Sequence, residues 1–179
     1  MRITLTSFLL LFVTSCSIQS NQYNMITSLL TDKENIASPK KNWSLLHENR
    51  VIDLYAINYE DQIIFADENI NIFYKDNQIY RVNGLYPDAE SIEIKQINNS
   101  LEYIINNKNL STDFCDSMIL SDKKKLQSYT KKCYHGSSKR TYLNQITLNS
   151  DRLIIGLRFK VRPNYPPVEL KIKQNINYN

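Results

Sequence analysis

Asn69-Ile70-Asn71-Ile72-Phe73-Tyr74-Lys75-Asp76-Asn77-Gln78-Ile79-Tyr80-Arg81-Val82-Asn83-Gly84 reads as two strands joined by a tight turn. Ile70, Ile72 and Tyr74 recur with a period of two, while Asn69, Asn71 and Lys75 take the opposite face; Phe73 breaks the alternation. Asp76-Asn77 supplies turn residues, and Gly84, one of only three glycines, predicts a bend or a positive φ where the return strand ends.

The same pattern spreads in both directions. Val51 to Tyr59 and Gln62 to Ala66 are rich in β-branched and aromatic residues, and Ser91 to Ile97 and Leu101 to Asn106 flank a turn at Asn98-Asn99-Ser100. Met118 to Ser121 and Lys125 to His135 are separated by the charged stretch Asp122 to Lys124. Beyond the turn Gly136-Ser137-Ser138, Arg140 to Leu148 and Asp151 to Arg162 pair across Asn149-Ser150. In the last of these, Leu153, Ile155, Leu157, Phe159 and Val161 fall on one face and Arg152, Arg158, Lys160 and Arg162 on the other. Pro163 to Pro167 interrupts the ladder before Val168, Leu170 and Ile172 resume it. Upstream, Met25, Ile26, Leu29 and Leu30 share a helical face. The expectation is an all-β, mainly antiparallel fold, a sandwich or curved half-barrel of about nine to eleven strands with a short N-terminal helix. Trp43, the single tryptophan, is expected to pack in the core or at its rim.

The amino terminus sets the compartment. Arg2 precedes the apolar run from Phe8 to Val13, too short to span a bilayer, and Val13-Thr14-Ser15-Cys16 resembles the bacterial lipobox. Residues 1–15 are therefore expected to be a signal peptide, Cys16 the lipidated residue, 16–22 a tether and 23–179 a single domain. Acyl chains on Cys16 are the only non-protein group expected; at about 0.8 kcal/mol per buried methylene, more than one is needed for stable anchoring. Ser17 stands where, in enteric bacteria, aspartate retains lipoproteins at the inner membrane. That resemblance implies the outer membrane, with the domain facing the periplasm.

Removing residues 1–15 from 179 leaves 164, enough for one core. Twenty-two basic and 18 acidic residues give +4, which becomes +3 once Arg2 is lost. So mild a charge, with no basic module, argues against nucleic acid as a partner. With Cys16 assigned to lipid, Cys115 and Cys133 remain, and in an oxidising compartment they are expected to form a disulfide. The competing use is a metal site with His135, which lacks the paired ligand spacing of structural zinc.

Several segments resemble the YjbF family of exported bacterial lipoproteins, to which GfcB belongs. In chain order they are the lipobox cysteine; Ile72 to Val82 followed by Asn83-Gly84-Leu85 and Asp88; Phe114-Cys115; Cys133; and Arg158-Phe159-Lys160-Val161-Arg162-Pro163-Asn164-Tyr165-Pro166-Pro167. The likeness implies an outer-membrane lipoprotein of mostly antiparallel β structure, encoded with machinery for capsule or exopolysaccharide assembly and export. It implies no catalytic site.

The residues agree that chemistry is hard to find. His47 has no companion, and His135 lies two residues from Ser137 without a G-x-S-x-G elbow. Asp53, Glu60, Asp61, Asp67 and Glu68 offer carboxylates that nothing orders into a glycosidase pair. Twelve tyrosines, among them Tyr55, Tyr59, Tyr74, Tyr80, Tyr142 and Tyr165, offer flat faces and hydroxyls of the kind sugars use. Arg152, Arg158, Lys160, Arg162 and Tyr165 are the candidate surface for an acidic polysaccharide or an export partner. The expected role is non-enzymatic, in polysaccharide assembly or export. Its alternatives are a half-barrel lipid or lipoprotein carrier and an envelope hydrolase.

Overall fold

Left-handed backbone at short polar turns explains how so many strands follow one another. In a computed structural model, which describes residues 40–123, 126–136 and 140–173, the two-residue turns Glu48-Asn49, Asp76-Asn77 and Asn106-Asn107 each hold both residues at φ between 47° and 65°. Asparagine and aspartate tolerate that region, whose twist matches a hairpin's, so the abundant asparagine does structural work at the turns. The signal segment, Cys16, the tether, the expected helix, Ser137 and Ser138 lie outside the described residues.

Thirteen strands result: β1 (Trp43–His47), β2 (Arg50–Tyr59), β3 (Gln62–Ala66), β4 (Asn71–Lys75), β5 (Gln78–Tyr86), β6 (Ala89–Ile97), β7 (Ser100–Ile105), β8 (Lys108–Cys115), β9 (Ile119–Lys123), β10 (Leu126–His135), β11 (Thr141–Leu148), β12 (Ile154–Phe159) and β13 (Val168–Ile172). All pairings are antiparallel. The all-β antiparallel expectation holds, and the sheet goes further than a half-barrel. β13 pairs with β1, and β10 pairs with both β8 and β11, so twelve strands close into a ring. β9 stands outside it, paired with β10 alone.

The ring is flattened rather than round. A circular barrel of twelve strands would enclose a lumen wider than the eight-stranded ring that side chains just fill. Here Tyr74 on β4 meets Phe159 on β12, nearly opposite in strand order, with ring centroids 6.3 Å apart. Phe65, Leu54, Ile72 and Leu170 are wholly buried in one continuous core, and Trp43 stacks edge-on against Phe65 at 4.8 Å. The walls therefore meet as the two layers of a sandwich do, while the edges remain hydrogen-bonded.

Two irregularities shape the ends. Gly84 interrupts β5 at φ 72°, where a Cβ would fall 1.8 Å from the carbonyl oxygen of Asn69. The expected strand from Asp151 is shorter at its start, because Asn149 Oδ1 accepts the backbone N–H groups of Asp151 and Leu153, and Arg152 turns to φ 61°. Leu153 consequently faces solvent instead of the core.

His47 ends β1 buried against Tyr86, its ring 4.9 Å away, and its Nδ1 has no hydrogen-bond partner. Burial pushes its pKa below the ordinary 6.5, Glu48 opposing and Arg50 assisting. Since the folded value is the lower one, the unfolded chain binds this proton first: the contribution is complete above pH 6.5 and is lost as pH falls through the folded value. Thermal midpoints taken across that window should sag on the acid side, and His47→Phe, which keeps the ring against Tyr86, should flatten the sag.

Candidate functional site

The described residues bring polar groups together in three places. The first lies inside the barrel, where β8, β10 and β11 adjoin. Asp113, fully buried, accepts hydrogen bonds from Tyr142 Oη (2.7 Å) and lies 2.8 Å from His135 Nδ1; Tyr142 Oη is 2.9 Å from Tyr103 Oη. The ammonium of Lys160 sits over the Tyr142 ring at 4.7 Å, and its backbone N–H donates to Asn144. Burial raises the pKa of both tyrosines and lowers that of Lys160, an effect on Lys160 that the Asp113 charge opposes. An acid orienting a histidine is two thirds of a triad. Among the described residues, however, no hydroxyl or thiol is hydrogen-bonded to His135, and the carboxylate is sealed from solvent.

That cluster sits beside the disulfide joining Cys115 to Cys133, which face each other across β8 and β10. Sulfurs bonded to each other are not thiolate ligands, so the competing metal reading with His135 loses its donors. Asp113→Asn keeps the shape but removes the charge that accepts from Tyr142. We expect it to lower stability by about 1 to 2 kcal/mol in urea unfolding while leaving the disulfide intact.

The second place is at the end of the barrel spanned by the β5–β6 turn and the β12–β13 loop. Arg162 Nη1 and Nη2 each lie 2.7 Å from an Asp88 oxygen, and the guanidinium stacks on Tyr165 (4.4 Å) and Tyr86 (5.0 Å). The ion pair draws the Asp88 pKa down and the Arg162 pKa up. This fork ties the β12–β13 loop to the β5–β6 turn, so Arg162 and Tyr165 serve closure.

The remaining members of the basic row are scattered. Arg158 points outward from β12 toward Glu169, at 3.5 Å; Lys160 turns toward Tyr142; Arg152 is exposed in the β11–β12 turn. Arg152, Arg158, Lys160, Arg162 and Tyr165 thus do not make one surface. The alternation that grouped them ends at Phe159, where β12 stops. The acidic candidates are also apart: Asp53 pairs with Lys173, Asp61 with Lys75, and Asp67 accepts from the backbone of Asn69 and Ile70.

The third place is an open concavity of about 540 Å³ at the turn ends of β4–β5 and β6–β7, lined by Lys75, Asp76, Gln78, Tyr80, Gln96 and Asn98. Its walls are amides, a phenol and charged groups. Gln78 is buried and donates to Ile94 O, Tyr80 donates to Gln62 Oε1, and the Phe73 ring lies 6.0 Å from that of Tyr80. From β10, Lys131 Nζ donates to Gln96 Oε1 at 2.9 Å. Burial lowers the Lys131 pKa. Sequence reasoning missed this site, since its lining comes from two hairpin turns, at Asp76-Asn77 and at Asn98-Asn99, that were read separately.

No family model matches the chain, and no curated protein does. Among solved structures it is similar to the hypothetical lipoprotein YmcC from Escherichia coli K12, with a TM-score of 0.53 and 11% identity over 84% of this chain and 95% of that one. At this identity the likeness speaks for the fold alone.

Proposed function

We propose that the chain is a lipid-anchored envelope protein of the outer membrane, held through Cys16, that assists capsule or exopolysaccharide assembly or export without catalysing a reaction. In this reading the concavity at Tyr80 and Gln96 is its glycan contact. The observation carrying it is the lining of planar amides and a tyrosine face beside Phe73, with Lys131 behind it donating its ammonium to the wall amide of Gln96. Such groups match the hydroxyls, ring faces and carboxylates of an acidic saccharide. The fold shared with a hypothetical lipoprotein and the export signal in the sequence support the compartment.

A carrier of acyl chains would need an apolar hollow, and the contact of Tyr74 with Phe159 fills the place where one would lie. A hydrolase would need a nucleophile at His135 and an opening to Asp113.

The test is binding of uronic-acid oligosaccharides and their neutral counterparts to the soluble chain from Ser17 onward. Lys131→Gln, a change at a half-buried position, should weaken binding of the acidic sugars by about tenfold, the worth of one charge-assisted hydrogen bond, and spare the neutral ones. Equal binding of both classes by both proteins would remove the proposed contact. Loss of surface polysaccharide in a deletion strain tests the role itself.

A further inference from the structure

The barrel end opposite the concavity holds a guanidinium whose position is fixed by packing and whose partner is loose. β5 opens at Gln78, in the wall of the concavity, and ends at Tyr86, eight residues on and roughly 25 Å away. There Tyr86 meets side chains from two other connections: His47, which closes β1, and Arg162 and Tyr165 of the β12–β13 loop. The guanidinium lies against both tyrosine rings, and the Tyr165 N–H bonds back to the Arg162 carbonyl, which holds the ring in place. The Arg162 side chain is only 14% exposed, whereas that of Asp88, which it grips with both nitrogens, is 63% exposed.

Two atoms beside this fork lack partners. Tyr86 Oη and His47 Nδ1 are buried, belong to rings 4.9 Å apart, and make no hydrogen bond among the described residues. Buried polar atoms are nearly always satisfied, so two orphans next to a preorganised guanidinium mark a place suited to polar groups that the chain does not itself provide. A phenol donates or accepts, and an imidazole nitrogen does either according to its tautomer. Tyr165 is only half-buried, which leaves ring surface open.

We propose that Arg162 anchors a binding site for a sugar acid of the hexuronate class, and that Asp88 occupies the carboxylate position until the ligand displaces it. The fork already holds two carboxylate oxygens at 2.7 Å each, so a ligand carboxylate takes over the same two bonds. The pyranose ring would lie against tyrosine, and hydroxyls next to its carboxylate would reach Tyr86 Oη and His47 Nδ1. Displacement costs little, because an exposed ion pair adds little to stability. The site shares no residue with the Tyr80–Gln96 concavity, and the inference stands whether or not that concavity binds glycan.

The experiment uses the full chain in detergent, with glucuronate, glucose and acetate as probes. Glucuronate should shift the Arg162 Nε–H and the Tyr86 and Tyr165 ring resonances. Glucose should leave them in place, and acetate, which lacks the ring and its hydroxyls, should bind at least tenfold more weakly. Asp88→Ala removes the competing carboxylate and should tighten glucuronate binding about threefold, a gain that a damaged fold does not produce. Arg162→Lys keeps the charge without the fork and should lose at least tenfold. Lys131→Gln, beside the concavity, should leave the Arg162 shifts unchanged. Absent shifts, an equal response to glucose or acetate, or an Asp88→Ala protein that binds no better would each overturn the proposal, the last by assigning the fork to closure alone. Shifts confined to Lys75–Asn98 would overturn it and leave the concavity reading standing, and shifts confined to Arg162 and the two tyrosines would do the reverse.

Discussion

Replacing Cys115 and Cys133 together by serine should lower the free energy of unfolding by about 3 kcal/mol, the chain-entropy worth of a loop of this length. The sulfurs join residues separated by 18 positions. The expected damage is also located. β8 and β10 are paired at only three positions, Cys115 with Cys133, Phe114 with Tyr134 and Asp113 with His135, the shortest ladder in the ring. The covalent bond sits at that seam, so the doubly substituted protein should lose exchange protection first along β8 and β10, before the hairpin of β4 and β5. Chemical denaturation gives the magnitude and amide exchange the order. Uniform loss of protection across all strands would show that the bond holds no seam in particular.

Gly84→Ala should be comparably damaging, by about 3 kcal/mol, for two separate reasons. An alanine at φ 72° is strained, and its methyl would overlap the Asn69 carbonyl oxygen, a backbone atom that cannot swing aside. The thermal midpoint is the measurement. Gly156→Ala provides the contrast, since a Cβ there meets its nearest neighbours at 3.6 Å, ordinary contact distance, and no positive φ is required. If the two variants melt alike, the tight approach at Asn69 is not what glycine protects.

How much of this was legible beforehand differs from element to element. The β4–β5 hairpin, its Asp76-Asn77 turn and the conformation of Gly84 followed from alternation and turn chemistry. β8 escaped, because Lys-Asn-Leu-Ser-Thr-Asp-Phe-Cys carries a buried aspartate where the pattern wants an apolar residue; only the partners Tyr142 and His135 make that residue fit. β1 escaped for a related reason, its buried face ending in a histidine. Closure was out of reach, since it depends on β13 finding β1 and on β10 finding β8 past β9, contacts between segments that carry no local signal of each other. The basic row misled because Arg158, Lys160 and Arg162 look alike in a pattern, yet one pairs with Glu169, one stacks on Tyr142 and one is forked onto Asp88. The concavity needed two turns, those of β4–β5 and β6–β7, to meet before it existed.

β1 enters the barrel as an interior member, with β13 along one side and β2 along the other. Force arriving through the residues before Trp43 is therefore divided between two ladders from the first strand. Lys173 adds a further link, its N–H bonded to the carbonyl of Asn42. A tug from the leading end cannot peel a terminal strand from an open edge. It must shear both seams of β1 at once.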